Sequence, residues 1–275
     1  MGGGDFFGGG GMGGGDFFGG GGMGGGDFFY NDPYSDPYSD YHDPYAHIYH
    51  TPDVIVESGA AVAHSSGGVN TMVLADGGNT VSINSSQIIT NGTLLGGSGN
   101  DVVTMSGSGA IGTVNLGAGT DSITLAGNNV LSISNTETVT TSIGTDVLNF
   151  SGGGTTSILA SSGTDSITLS NTNTETIKYA ATNALGDNIM GFSSGTDKLQ
   201  FSRSAFNGDA NTNGILDFGI QSGAGLVQSS TNQHFVFNQT SKQLYYDADA
   251  TGGGAGVVVA NLDTTIANGD IIFVA

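Results

Sequence analysis

The stretch Gly96-Gly97-Ser98-Gly99-Asn100-Asp101-Val102-Val103-Thr104 satisfies every position of the nonapeptide pattern Gly-Gly-x-Gly-x-Asp-x-aliphatic-x. Its inner part, Gly-x-Asp-x-aliphatic, returns as Gly119-Thr120-Asp121-Ser122-Ile123, Gly144-Thr145-Asp146-Val147-Leu148, Gly163-Thr164-Asp165-Ser166-Ile167 and Gly195-Thr196-Asp197-Lys198-Leu199. A chain this rich in glycine and aspartate produces roughly one such match by composition, so five within about a hundred residues mark a repeat.

Each part of the pattern has a physical task. Glycines such as Gly97 and Gly99 allow a tight turn with positive φ and turn carbonyl oxygens inward. The aspartate adds a hard carboxylate oxygen of the kind that calcium prefers. The aliphatic residue two positions later starts a short strand and points into the coil. A single turn cannot fill the coordination sphere of calcium, so an ion is expected to be shared between stacked turns, coupling folding to binding. On this reading Gly97, Gly99, Asp101, Gly119, Asp121, Gly144, Asp146, Gly163, Asp165, Gly195 and Asp197 are the candidate metal residues. The alternative is a plain β-solenoid with acidic turns.

Asp101, Asp121, Asp146 and Asp165 follow one another at 20, 25 and 19 residues, close to one full coil of two turns and two strands. The intervening half-coils at Gly107-Ser108-Gly109, Gly127-Asn128-Asn129, Gly152-Gly153-Gly154 and Asn171-Thr172-Asn173 keep turn formers but lack the aspartate. This spacing predicts ions along one edge only, with Asn, Ser and Thr hydrogen bonds on the other. Short β-branched runs, among them Val54-Ile55-Val56, Met72-Val73-Leu74, Val81-Ser82-Ile83, Gln87-Ile88-Ile89, Ile123-Thr124-Leu125 and Leu131-Ser132-Ile133, alternate with these turns. The expected fold is all-β: a parallel β-roll or β-solenoid over residues 53–180, with no helix of credible length. Asp76-Gly77-Gly78-Asn79 reads as a degenerate first turn, and Glu137 and Glu175, before Val139 and Ile177, read as turn acceptors.

Residues 1–52 differ in kind. Met-Gly-Gly-Gly-Asp-Phe-Phe occurs three times within residues 1–29, and Asp-Pro-Tyr units follow at 32–34, 36–38 and 43–45. So glycine-rich a segment has too little apolar surface to offset the entropy of ordering, so a disordered arm is expected. Its Phe pairs and tyrosines are either stickers for self-association or an inert linker. His42, His47 and His50 lie in this proline-interrupted stretch and read as solvated side chains rather than a transition-metal site.

Twenty-four acids against four Lys and Arg give a formal charge of −20, which repels nucleic-acid phosphates and anionic lipid surfaces. Nucleic-acid partners are therefore not expected. The sequence has no cysteine, so disulfides, thiol nucleophiles and thiolate metal sites are excluded. No apolar run approaches the ~20 residues of a transmembrane helix, and Met1-Gly2-Gly3-Gly4-Asp5 has neither the basic nor the apolar region of a secretory signal.

The last hundred residues carry a second signal. Asp187-Asn188-Ile189-Met190-Gly191-Phe192 through Gly195-Thr196-Asp197-Lys198-Leu199-Gln200-Phe201-Ser202, and Phe235-Val236-Phe237-Asn238 leading to Gln243-Leu244-Tyr245-Tyr246-Asp247-Ala248-Asp249, resemble the C-terminal domain of RTX proteins exported by type I secretion. Gly269-Asp270-Ile271-Ile272-Phe273-Val274-Ala275 is similar to that family's uncleaved export signal, and with the nonapeptides the resemblance covers about residues 96 to 275. It implies a β-rich secretion domain over 181–275, passage through a one-step exporter without calcium, and folding outside the cell, secreted or bound to the cell surface. The sequence departs from the family in its imperfect nonapeptides and in Ala250, which stands where a glycine is usual.

Two further loops have oxygen-ligand spacing. Asp209, Asn211, Asn213 and Asp217, with Gly214 between them, follow the start of an EF-hand loop, but Ile220 stands where its glutamate belongs. A weak calcium site and an Asx-rich turn both fit. Asp247 and Asp249 before Gly252 form a shorter version, also read as a calcium site.

These readings favour a secreted calcium-binding structural or adhesive protein that builds a surface layer, fibre or biofilm matrix. Its expected partners are calcium, copies of itself, the type I exporter and the cell envelope. An RTX exoprotein with hydrolytic activity is the alternative, but neither His-Glu-x-x-His nor Gly-x-Ser-x-Gly occurs, so an enzyme is not expected. Ice or mineral binding through pairs such as Thr138-Val139-Thr140 is a third reading, weakened by the irregularity of the pairs.

Overall fold

The computed structural model describes residues 54–56, 61–64, 71–84, 90–107, 111–206, 218–222, 234–250 and 256–275. The expected arm (1–52) and the Asp209 to Asp217 loop lie outside these residues.

Each coil supplies one strand to each of two parallel sheets. In chain order the strands are β1 (Val54–Val56), β2 (Ala61–His64), β3 (Thr71–Leu74), β4 (Thr80–Asn84), β5 (Thr90–Leu95), β6 (Val102–Ser106), β7 (Ile111–Asn115) and β8 (Ser122–Leu125). They continue as β9 (Val130–Ser134), β10 (Thr138–Thr140), β11 (Val147–Phe150), β12 (Thr155–Ala160), β13 (Ser166–Thr168), β14 (Thr174–Tyr179), β15 (Asp187–Met190) and β16 (Lys198–Ser202). Odd-numbered strands of this run stack in the first sheet and even-numbered strands in the second, all parallel. The molecule is a β-solenoid, as the turn and strand alternation predicts, with no α-helix among the described residues.

Alternation along each short strand sends every second side chain inward. Val81, Val103, Ile123, Val139, Ile158, Ile177, Leu199 and Ile271 stand in register on the second sheet, all buried. Facing them on the first sheet are Leu131, Leu148, Ile167 and Ile189, with Met72, Leu94, Val114 and Ile133 in a neighbouring column. Burying an aliphatic side chain contributes about 1.5–3 kcal/mol, so the stack of coils, more than any one coil, holds the fold.

The sheets run unbroken across the boundary expected near residue 180. β15 pairs with β13 on one side and with β20 (Val257–Leu262) on the other, and β16 pairs with β14 and with β21 (Ile271–Val274). The first sheet then ends in antiparallel pairings of β20 with β19 (Gln243–Tyr246) and of β19 with β18 (Phe235–Asn238), beyond which β17 (Phe218–Gln221) runs parallel to β18. Aromatic rings replace aliphatic ones at this end. Phe201 stacks on Tyr179 at 5.1 Å between centroids and also meets Phe206, Phe235 and Phe273. The segment expected to serve as export signal is thus strand β21, with Ile271 buried beneath the second sheet.

Candidate functional site

Chain entering the second sheet passes round one edge of the solenoid; chain entering the first sheet passes round the other. The register places Asn79, Asp101, Asp121, Glu137, Thr156, Glu175 and Asp197 one above another on the first of these edges. Asn129, Asp146, Asp165 and Asp187 form the corresponding column on the second. The expectation that the repeat aspartates line one edge is therefore corrected: Asp101 and Asp121 lie on one edge, Asp146 and Asp165 on the other.

Coil length explains the switch. Asp101 and Asp121 are a 20-residue step apart, but the next step along that edge is only 16 residues and ends on Glu137. The turn Ser134-Asn135-Thr136-Glu137 has no glycine, and the longer glutamate reaches the main chain in place of aspartate. The interval from Asp121 to Asp146 thus spans one and a half short coils rather than one long one.

Both columns follow one hydrogen-bonding rule: a carboxylate accepts the main-chain N–H of the residue one coil before it. Asn79 N–H donates to Asp101 Oδ1 at 3.0 Å, Asp101 N–H to Asp121 Oδ1 at 2.7 Å, and Asp121 N–H to Glu137 Oε2 at 2.7 Å. On the opposite edge Asn129 N–H donates to Asp146 Oδ1 at 2.8 Å, Asp146 N–H to Asp165 Oδ1 at 2.9 Å, and Asp165 N–H to Asp187 Oδ1 at 2.8 Å. These bonds satisfy the corner amides that the sheets leave unpaired.

Only one oxygen of each aspartate is used in this way. Asp101, Asp146 and Asp165 have no exposed surface and Asp121 has 1 %, yet the Oδ2 of each has no hydrogen-bond partner. The asparagine that heads each column shows what is missing. Asn79 Nδ2 lies within donating distance of the carbonyls of Ala75 and Gly77 and of Asp101 Oδ1 at 2.9, 2.8 and 2.8 Å, and Asn129 Nδ2 of those of Ala126 and Gly127 and of Asp146 Oδ1 at 3.3, 3.2 and 3.0 Å. The aspartates have a second oxygen where the asparagines have a nitrogen, so an ionised aspartate has no hydrogen to donate to its turn. A buried polar atom left so costs about 1–3 kcal/mol, more when charged. A cation in the place of the amide hydrogens satisfies both, and an oxygen-only donor set suits a hard divalent ion. The residues therefore fit calcium chemically.

The electrostatics point the same way. Burial pushes Asp121 and Asp146 above the usual carboxylate range and Asp165 up to about 6, with the neighbouring Asp146 charge adding to the last. Asp187 is raised to about 7, chiefly by burial, although Tyr179 O–H donates to its Oδ2 at 3.0 Å. Asp270 behaves oppositely: hydrogen bonds from Ser194, Ala267 N–H, Gly195 N–H and Lys198 outweigh its burial and hold it low.

The glycines stack backbone on backbone. Gly99 has φ +121, and a Cβ there would lie 2.5 Å from the carbonyl carbon of Gly77; Gly163 has φ +147 and would collide with the Gly144 carbonyl oxygen. Gly119 repeats this arrangement against Gly99, and Gly97 C=O accepts from Ala118 N–H at 3.1 Å. Gly195 presents its N–H to Asp270. Asp247 Oδ1 accepts Asp249 N–H at 3.1 Å, an Asx turn.

Glu137, Glu175, Asp187 and the two asparagines belong to the columns although the Gly-x-Asp pattern passes over them. A usable signal was present: a buried aliphatic residue two positions on, Val139, Ile177 and Ile189, as Val103 follows Asp101. Among the described residues no three carboxylate or imidazole side chains converge on one point, and no helix is long and apolar enough to cross a membrane.

The fold and its edges define a class: a two-sheeted parallel β-solenoid with stacked, buried acids at both corners. No protein-family model matches the chain, and no curated protein matches it in sequence.

Proposed function

We propose that this chain is an exported, calcium-binding structural or adhesive protein whose solenoid matures when calcium enters its edges, and that it contributes to a surface layer, fibre or matrix. The observation that carries the reading is the contrast between Asn79 and Asp101: the Asn79 amide donates to the carbonyls of Ala75 and Gly77 and to Asp101 Oδ1, whereas the second oxygen of Asp101 is buried without a partner. Calcium at the first edge would be held by Asp101 and Asp121, and at the second by Asp146 and Asp165, each site completed by main-chain carbonyls and water. The ion supplies positive charge between coils; the chain supplies a rigid, prestacked set of oxygens.

A chain of charge −20 gains most from such ions, because they offset repulsion between its own carboxylates. Export in a calcium-poor, unfolded state fits the same chemistry, as does self-association through the Phe and Tyr residues of segment 1–52. No catalytic role is assigned.

The reading is tested by circular dichroism and light scattering of the full chain in chelator and in millimolar calcium. Calcium is expected to sharpen the β signal and raise the melting temperature, and association should follow. Identical melting and sedimentation in both conditions would refute it. Ice or mineral binding has one observation in its favour, the registration of Ser82, Thr104, Thr124 and Thr140 across the second sheet's outer face. Thermal hysteresis measurements decide that reading.

A further inference from the structure

We propose that Glu175, which lies outside the nonapeptide pattern, joins Asp197 of the pattern's last copy in a divalent-cation site that clamps the solenoid to its aromatic C-terminal end. The proposal rests on the calcium reading and extends it to a residue, Glu175, that no glycine-aspartate motif marks.

Glu175 and Asp197 occupy adjacent coils of the first edge, and neither has exposed surface. Glu175 N–H donates to Asp197 Oδ1 at 3.0 Å, and Asp197 Oδ2 accepts Ser193 N–H at 2.8 Å. Glu175 Oε1 accepts Ser170 N–H at 3.1 Å, whereas its Oε2 is buried without a partner. The two carboxyl groups lie against each other across adjacent coils. The nearby ammonium of Lys198 is 3.4 Å from Asp270 Oδ1, a different carboxylate.

The pair is also separate from the Asp101, Asp121 and Glu137 run of the same edge. Thr156 stands between them in the column, and its hydroxyl donates to Thr136 C=O at 3.0 Å, so the acid ladder is broken there. Glu175 Oε2 is buried without a partner, and the ligand atoms the pair itself offers are carboxylate oxygens, the type that calcium-like ions take. Its position explains why a cation would matter: β14 and β16 are the strands that carry Tyr179 and Phe201, the first stacked rings of the aromatic end.

The test is equilibrium dialysis of the metal-stripped full chain against calcium alone, counting ions per chain for the unaltered protein, E175Q, D197N and, as a motif control, D101N. E175Q keeps an oxygen for Ser170 N–H. E175Q and D197N are each expected to bind one ion fewer than the unaltered chain, with the circular dichroism spectrum in calcium retained. If E175Q binds as many ions as the unaltered chain with equal affinity, the site does not exist. Loss of an ion in D101N but not in E175Q sinks this proposal alone, whereas an unaltered chain that binds no calcium sinks the calcium reading with it. Should neither substituted chain fold, hydrogen exchange in the unaltered protein decides: calcium must slow exchange at the Ser170 and Glu175 amides, and unchanged exchange there overturns the site.

Discussion

Asp146 donates its main-chain N–H to Oδ1 of Asp165 at 2.9 Å, one coil further along the same edge, while Oδ2 of Asp165 is buried without a partner. In Asp101, Asp121, Asp146 and Asp165 one oxygen therefore builds the fold, and the other is the one that the proposed ion would take. The two tasks can be separated by substitution.

Asp101→Asn recreates the amide geometry that Asn79 already has one coil earlier. In metal-free buffer at neutral pH this variant is expected to melt above the unaltered chain, by an amount on the order of 1 kcal/mol or more, because a buried unpaired oxygen is replaced by a donor. In calcium the order should reverse, since a site occupied at a hundred times its Kd adds about 2.7 kcal/mol. Thermal melts of both chains in chelator and in calcium check both signs.

Metal-free protein should be more stable at pH 5 than at pH 8. Glu175 and Asp187 are raised to about 7 and Asp165 to about 6, above their values in the unfolded chain. The folded state thus holds these protons more tightly, and the stability they contribute is complete below about pH 4 and lost as the pH climbs through 6 to 7. Asp270, held low, acts oppositely and loses its contribution only as the pH falls below about 4. Denaturant unfolding between pH 3 and pH 8 in chelator should therefore show a maximum near pH 4.

Gly163→Ala should disable the second edge. The φ of +147 already disfavours a side chain, and the new methyl would meet the Gly144 carbonyl, so a loss of several kcal/mol is expected. Gly153→Ala, where an added Cβ meets nothing within 4 Å, is expected to change stability by less than about 0.5 kcal/mol. Urea midpoints of the two variants provide the comparison.

Phe201→Ala should loosen the C-terminal end. Phe201 touches Tyr179, Phe206, Phe235 and Phe273 and has no exposed surface, so a cost of about 3–5 kcal/mol is expected. Hydrogen exchange should show the loss at β16, β18 and β21 before it reaches β8 and β10.

Much of this architecture was legible in the residues. Val103, Ile123, Leu148, Ile167 and Leu199 each stand two positions after an aspartate and each point into the coil, because a strand that begins at the turn alternates its side chains from there. Glu137 and Glu175 are less legible: they lack the glycines that announce a turn, and their equivalence to aspartate rests on reach across a gap that no sequence spacing measures. The division of residues 53–180 from 181–275 is likewise invisible in the sheets, whose ladders pass from β13 to β15 and from β14 to β16 as they do elsewhere.

The sequence by itself determined the strand and turn alternation, the inward aliphatic columns and the presence of acids at the corners, since all three depend on neighbours within a few residues. Only the tertiary structure decided which corner each acid occupies and which acids touch. Both depend on the summed lengths of whole coils: with steps of 16 residues from Asp121 to Glu137 and 17 from Asn129 to Asp146, the 25 residues between Asp121 and Asp146 cover one and a half coils and place Asp146 on the opposite edge. Stacking converts that local difference in length into two facing ladders of charge.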